Sequence, residues 1–135
     1  MTTPAPEPTP SAPFNPLAFP AKLRAAQRKA IELHGELHAY QKTLPWSREP
    51  HPGWPDEEER GRKRRGRPVS PGWTSEQAAE YDRLFEELRD AATAVLCDPW
   101  WEQCAERGVT GPDLVAARQA LKHAADAEDA VPAAA

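Results

Sequence analysis

The segment WTSEQAAEYDRLFEELRDAATAVLCD, residues 73–98, carries a helix start, a helical period and a helix stop that agree with one another. Thr74 can cap the first turn through its hydroxyl, and Gln77 stands three residues on, where a capping box needs it. Tyr81, Leu84, Phe85, Leu88, Ala92, Val95 and Leu96 recur at steps of three and four and are expected on one face. Asp82, Arg83, Glu86, Glu87, Arg89 and Asp90 hold the other face. Asp98-Pro99 ends the run, so the segment predicts a helix of about six turns.

Upstream, Leu23, Ala26, Ala30, Leu33, Leu37, Tyr40 and Leu44 form a second periodic seam that Pro45 stops. Its length suits an antiparallel hairpin partner or a short coiled coil, which makes Leu23, Leu33, Leu37, Tyr40 and Leu44 the candidate interaction residues. Before it, Asn15-Pro16 and Phe19-Pro20 read as capped turns leading into the helix. Downstream, Asp98-Pro99-Trp100-Trp101 opens a short helix ending at Gly108. A last helix follows Thr110-Gly111-Pro112-Asp113, with Leu114, Val115, Ala117, Leu121 and Ala124 as its expected buried stripe.

The rest of the chain has little to bury. Sixteen prolines, a mean hydropathy of -0.76 and nineteen Leu, Ile, Val and Phe residues in 135 leave room for one thin core of roughly 80 residues. The expected order is a disordered Pro-rich tail over 1–14, a helical segment over 15–44, a charged linker over 45–72, helices over 73–126 and a disordered tail over 127–135. Trp46, Trp54 and Trp73 lie in or beside the linker and read as anchors against the helices. Pro52-Gly53-Trp54 and Pro71-Gly72-Trp73 each look like a turn followed by a helix start. Two cysteines make no disulfide framework, no run approaches membrane-spanning length, and no secretory leader is visible. A cytoplasmic protein with reduced thiols is the expectation.

The net charge of -4 conceals a segregation: four consecutive acids over 56–59, six bases over 60–67, and thirteen acids against five bases from residue 68 onward. Within the basic run, Arg65-Gly66-Arg67-Pro68 resembles the core of an AT-hook. The resemblance covers the seven residues Arg62, Lys63, Arg64, Arg65, Gly66, Arg67 and Pro68. It implies contact with double-stranded DNA: Arg65 and Arg67 in an A·T-rich minor groove, Gly66 at its floor, and Arg62, Lys63 and Arg64 on phosphates. The motif stands alone, lacks bases after the proline and follows four acids. The competing and preferred reading is a self-neutralising solvated segment; as a short helix it would pair Asp56 with Arg60, Glu58 with Arg62, and Glu59 with Lys63 four residues apart, and Gly61 counts against that helix.

Trp100 to Leu121 has the outline of a helix-turn-helix, but Gly111, Pro112 and Asp113 would face the major groove, so an ordinary helical corner is preferred. His34 and His38 are one turn apart, and with Cys97 and Cys104 they could complete a Cys2His2 site. The spacing does not demand it, and no metal site is expected. There is no phosphate-binding glycine loop and no nucleophile elbow, so neither catalytic residues, cofactor nor small-molecule substrate is inferred. The overall composition is similar to that of small proteins from actinobacteria and their mobile elements, especially over 37–47, a likeness that implies no function. These readings add up to an all-α protein of three to four helices across a Pro/Gly/Trp-rich linker with disordered termini. Its expected role is non-enzymatic, through a protein partner or a homo-oligomer, with A·T-rich DNA binding as the alternative.

Overall fold

The computed structural model describes residues 13–130, with side chains described over 13–125. Of the expected disordered tails over 1–14 and 127–135, residues 1–12 and 131–135 lie outside the described residues, whereas over 127–130 the last helix continues. Four helices account for most of the described chain: α1 (Ala21–Gln41), α2 (Ser75–Leu96), α3 (Trp100–Glu106) and α4 (Pro112–Ala130). Between α1 and α2 the chain forms a two-stranded antiparallel sheet of β1 (Glu57–Glu59) and β2 (Arg62–Arg64). The protein is therefore mostly helical but not all-α, and within the stretch expected as a charged linker the chain forms a hairpin. The chain divides into two compact units, residues 30–90 and residues 1–29 with 91–135; α1 and α2 each run through the division.

The start of α2 forms as its sequence requires. Thr74 Oγ1 accepts the Gln77 amide at 3.1 Å, and Gln77 Oε1 accepts the Thr74 amide at 2.9 Å, a complete capping box. The buried stripe of α2 is narrower than its composition suggests. Leu84 and Val95 are buried and Leu88, Ala91 and Ala92 half-buried, whereas Phe85 and Leu96 are 43% and 59% exposed. Each lies one residue past a buried leucine or valine, and about 100° of rotation carries it out of the stripe. On α4, Val115 lies one residue past the half-buried Leu114 and is 57% exposed.

The unit made of residues 1–29 and 91–135 contains the larger apolar cluster: Phe19 and Leu23 with Val95, Trp100, Trp101, Cys104, Ala117 and Leu121. Trp101 satisfies its indole N–H on the Val95 carbonyl at 2.7 Å, which lets so large a ring sit 5% exposed. Asp98 Oδ1 accepts the Trp100 amide at 2.9 Å and steers the chain from α2 into α3. At the far end of α3, Val109 N–H bonds Cys104 O at 2.9 Å and Gly108 N–H bonds Ala105 O at 3.0 Å, the paired bonds of a Schellman stop. Phe14, counted in the Pro-rich tail from composition, is half-buried with its ring 5.2 Å from that of Trp100. Its apolar area outweighs the prolines around it.

In the unit of residues 30–90, Ala30, Leu33, Leu37 and Leu84 are buried, and Tyr40 and Leu44 are half-buried. The α1 seam is thus largely consumed inside the fold. Leu33 and Leu37 turn inward here, as Leu23 does in the other unit.

Candidate functional site

The basic motif and the acids before it face each other across one continuous register. His51 pairs with Ser70, Trp54 with Arg67, Glu57 with Arg64, Glu58 with Lys63 and Glu59 with Arg62. Arg60 and Gly61 form the two-residue loop, with φ of 54° and 77°. Two positive φ values are what a type I′ hairpin turn demands, since that turn follows the right-handed twist of the strands. Glycine takes this conformation freely, whereas arginine does so at a cost. Each acid of β1 lies directly across from a base of β2, so the acids and bases are brought together across strands and not at four-residue spacing along a helix. All six strand residues are exposed.

The base of the ribbon is held in a different way. The rings of Trp46, His51 and Trp54 meet edge to face, with centroids 5.0, 5.5 and 5.6 Å apart. Trp46 Nε1–H donates to Pro68 O at 2.7 Å, Trp54 Nε1–H donates to Arg65 O at 3.3 Å, and the Arg67 guanidinium lies 5.5 Å over the Trp46 ring. His51 Nδ1 accepts the Gly53 amide at 2.9 Å, which places the proton of the neutral ring on Nε2. Ser70 is 2% exposed, exchanging both backbone bonds with His51. Below it, Trp73 donates its indole N–H to Pro45 O at 2.9 Å and packs 4.8 Å from Tyr81. Arg48 lies over Trp73 and makes a two-pronged bond to Asp82 on α2, 2.8 Å in each arm. That fork holds the Asp82 carboxyl below the usual carboxylate range and raises Arg48. The linker tryptophans are anchors, then, but they mainly clasp the ribbon.

The residues of the hook-like core are already engaged. Arg67 N–H and C=O both pair with Trp54, at 2.9 and 3.0 Å, Gly66 N–H bonds Asp56 Oδ1, and the carbonyls of Arg65 and Pro68 accept the two indoles. A β-carbon on Gly66 would collide with the Trp54 carbonyl oxygen and the Pro55 backbone, so glycine is required by the opposing strand. The side chains of Arg62, Lys63, Arg64, Arg65 and Arg67 remain exposed, as does Pro68.

The other candidates are placed plainly. His34 and His38 stack with their rings 6.4 Å apart on exposed positions of α1, Cys97 is exposed and Cys104 buried. Burial pushes the Cys104 thiol up, away from the reactive thiolate. Among the described residues no group of three or more His, Cys, Asp or Glu side chains could hold a metal ion. Arg48, His51 and the Arg60-Gly61 turn were not singled out from sequence. A usable signal was present in the mirror placement of acids and bases about Arg60-Gly61.

These features define a small, mostly helical domain with a clamped, charge-segregated β-ribbon inserted between its two long helices. The chain belongs to the DUF8825 family, a domain of unknown function, whose family model matches residues 22–124 and so takes in the ribbon and most of each helix. No curated protein and no solved structure matches the chain. No helix among the described residues is long and apolar enough to cross a membrane.

Proposed function

We propose that the protein is a non-enzymatic interaction module and that the ribbon is the arm it presents to a protein partner, whether a different protein or a second copy. The contrast between the two ends of the ribbon carries this reading. Its base is fixed by three aromatic rings, two indole hydrogen bonds and a stacked arginine, whereas β1 and β2 are exposed and wholly charged. An isolated hairpin is marginal in water and exposed ion pairs add little to folding, so a braced charged tip is better explained by contact than by stability. A strand of acids beside a strand of bases suits a protein surface of alternating charge. Glu57, Glu58 and Glu59 would repel a uniform polyanion beside the bases they face. The test is a photo-crosslinking residue placed at Arg60 and, as control, at Glu86 in the full chain expressed in cells. A discrete protein adduct from position 60, lost on Glu57→Ala/Glu59→Ala, is expected. An adduct to nucleic acid, or none above control, overturns the reading.

A·T-rich DNA binding is the second reading, favoured by the exposed basic side chains of residues 60–65 and Arg67. It requires the Arg65-Gly66-Arg67 backbone to leave its ribbon partners before lying in a minor groove. Fluorescence anisotropy of A·T-rich and G·C-rich duplexes at two salt concentrations, with wild type and Arg65→Ala/Arg67→Ala, decides it. Salt-sensitive binding that prefers A·T and vanishes in the variant supports DNA contact; absence of preference removes it.

A further inference from the structure

A second surface, independent of the ribbon reading, lies in the unit of residues 1–29 and 91–135. A cavity of about 230 Å³ is lined by Val95, Leu96, Trp101 and Val115, with Arg118 and Lys122 at its polar side. Leu96 and Val115, displaced from the buried stripes of their helices, stand 59% and 57% exposed at this cavity. Among the described residues its charged lining is basic: Arg118 and Lys122 border it and no acid does. The Arg118 guanidinium is stacked 5.4 Å over Trp101, and its Nε–H is buried with no hydrogen-bond acceptor among the described residues. A carboxylate is the acceptor that a guanidinium pairs with most strongly. Stacking on the indole holds the fork in place before any ligand arrives.

We infer that this groove binds an acidic, apolar peptide segment of a partner protein, one apolar side chain entering between Leu96 and Val115 and a neighbouring carboxylate bonding Arg118 and Lys122. The cavity accommodates a leucine-sized group, and the exposed apolar rim extends the contact along a chain. The opposite signs of groove and peptide set the polarity of binding.

The probe is the peptide acetyl-Glu-Leu-Glu-Leu-Glu-amide, titrated into the isotopically labelled full chain and followed by amide, indole and arginine Nε–H resonances. Two control peptides replace all leucines by serine or all glutamates by lysine. The expected result is a set of shifts confined to Leu96, the Trp101 indole, Val115 and Arg118, given by the first peptide and at least fivefold weaker with either control. Val115→Asp, at an exposed position that leaves the core intact, and Arg118→Gln should each weaken it by a similar factor. Shifts that are absent, scattered over the surface, equal with a control peptide or unchanged in both variants overturn the inference. Crosslinking at Arg60 reports on the other unit, so the two proposals fail separately.

Discussion

Gly66 shows how one residue position can carry two chemical meanings. In an extended hook a glycine admits the backbone to a groove floor; here the same absence of a β-carbon admits the Trp54 strand. Gly66→Ala is expected to destabilise the ribbon by about 1–3 kcal/mol, as overpacking against backbone does. Hydrogen exchange at the Trp54 and Arg67 amides should accelerate while that of α4 is unchanged. At the tip, Arg60 holds a φ of 54°, which asparagine tolerates better. Arg60→Asn creates the favoured two-residue loop and should slow exchange in β1 and β2, with a gain of up to about 1 kcal/mol.

At the level of elements, caps and stops were the most legible part of the sequence, because a few side chains determine them locally. The Thr74–Gln77 box, the turn at Asn15, where Leu17 N–H bonds Oδ1 at 3.0 Å, and the stop at Gly108 all form from neighbouring residues. Thr74→Ala should therefore cost about 1 kcal/mol in a denaturant melt, with the first turn of α2 fraying. The ribbon was illegible for a physical reason. Glu57–Glu59 and Arg62–Arg64 contain no β-branched or aromatic residue, and each strand is uniformly charged with no alternation in hydropathy, so neither strand propensity nor period announces them. What stabilises the pairing comes from beyond the strands: Trp46 lies twenty-two residues from Pro68, whose carbonyl its indole holds. The same distance effect hid Arg48, whose partner Asp82 is thirty-four residues away. Of the candidate site residues, the run from Arg62 to Pro68 was visible by composition, whereas its backbone pairing was not. The apolar seam was visible by period, but its burial within the chain depends on packing.

Across the whole molecule, thin cores make single side chains expensive to lose. Leu121 is 1% exposed within the cluster of α3 and α4 residues, and Leu121→Ala should cost about 2–5 kcal/mol, a large share of what a domain of this size holds in reserve. A thermal melt should show this as a drop of many degrees. Acid should weaken the fold as well. The Asp82 and Glu80 carboxyls are held below their usual range by Arg48 and Arg83, so the folded chain binds fewer protons than the unfolded one. Their contribution is complete above about pH 5 and is lost as the pH falls through the lowered folded values. Urea midpoints at pH 6 and pH 3 should differ, and Asp82→Asn should narrow that difference. The placement of the indoles has a spectroscopic consequence. Trp46, Trp54 and Trp73 belong to the unit with the ribbon, and Trp100 and Trp101 to the other. Each unit thus carries its own fluorophores: a sheltered pair, 8% and 5% exposed, that emits toward the blue, and a set including the 43% exposed Trp54 that emits toward the red. Light from one unlabelled chain can report the opening of its ribbon and the melting of its apolar cluster as two colours.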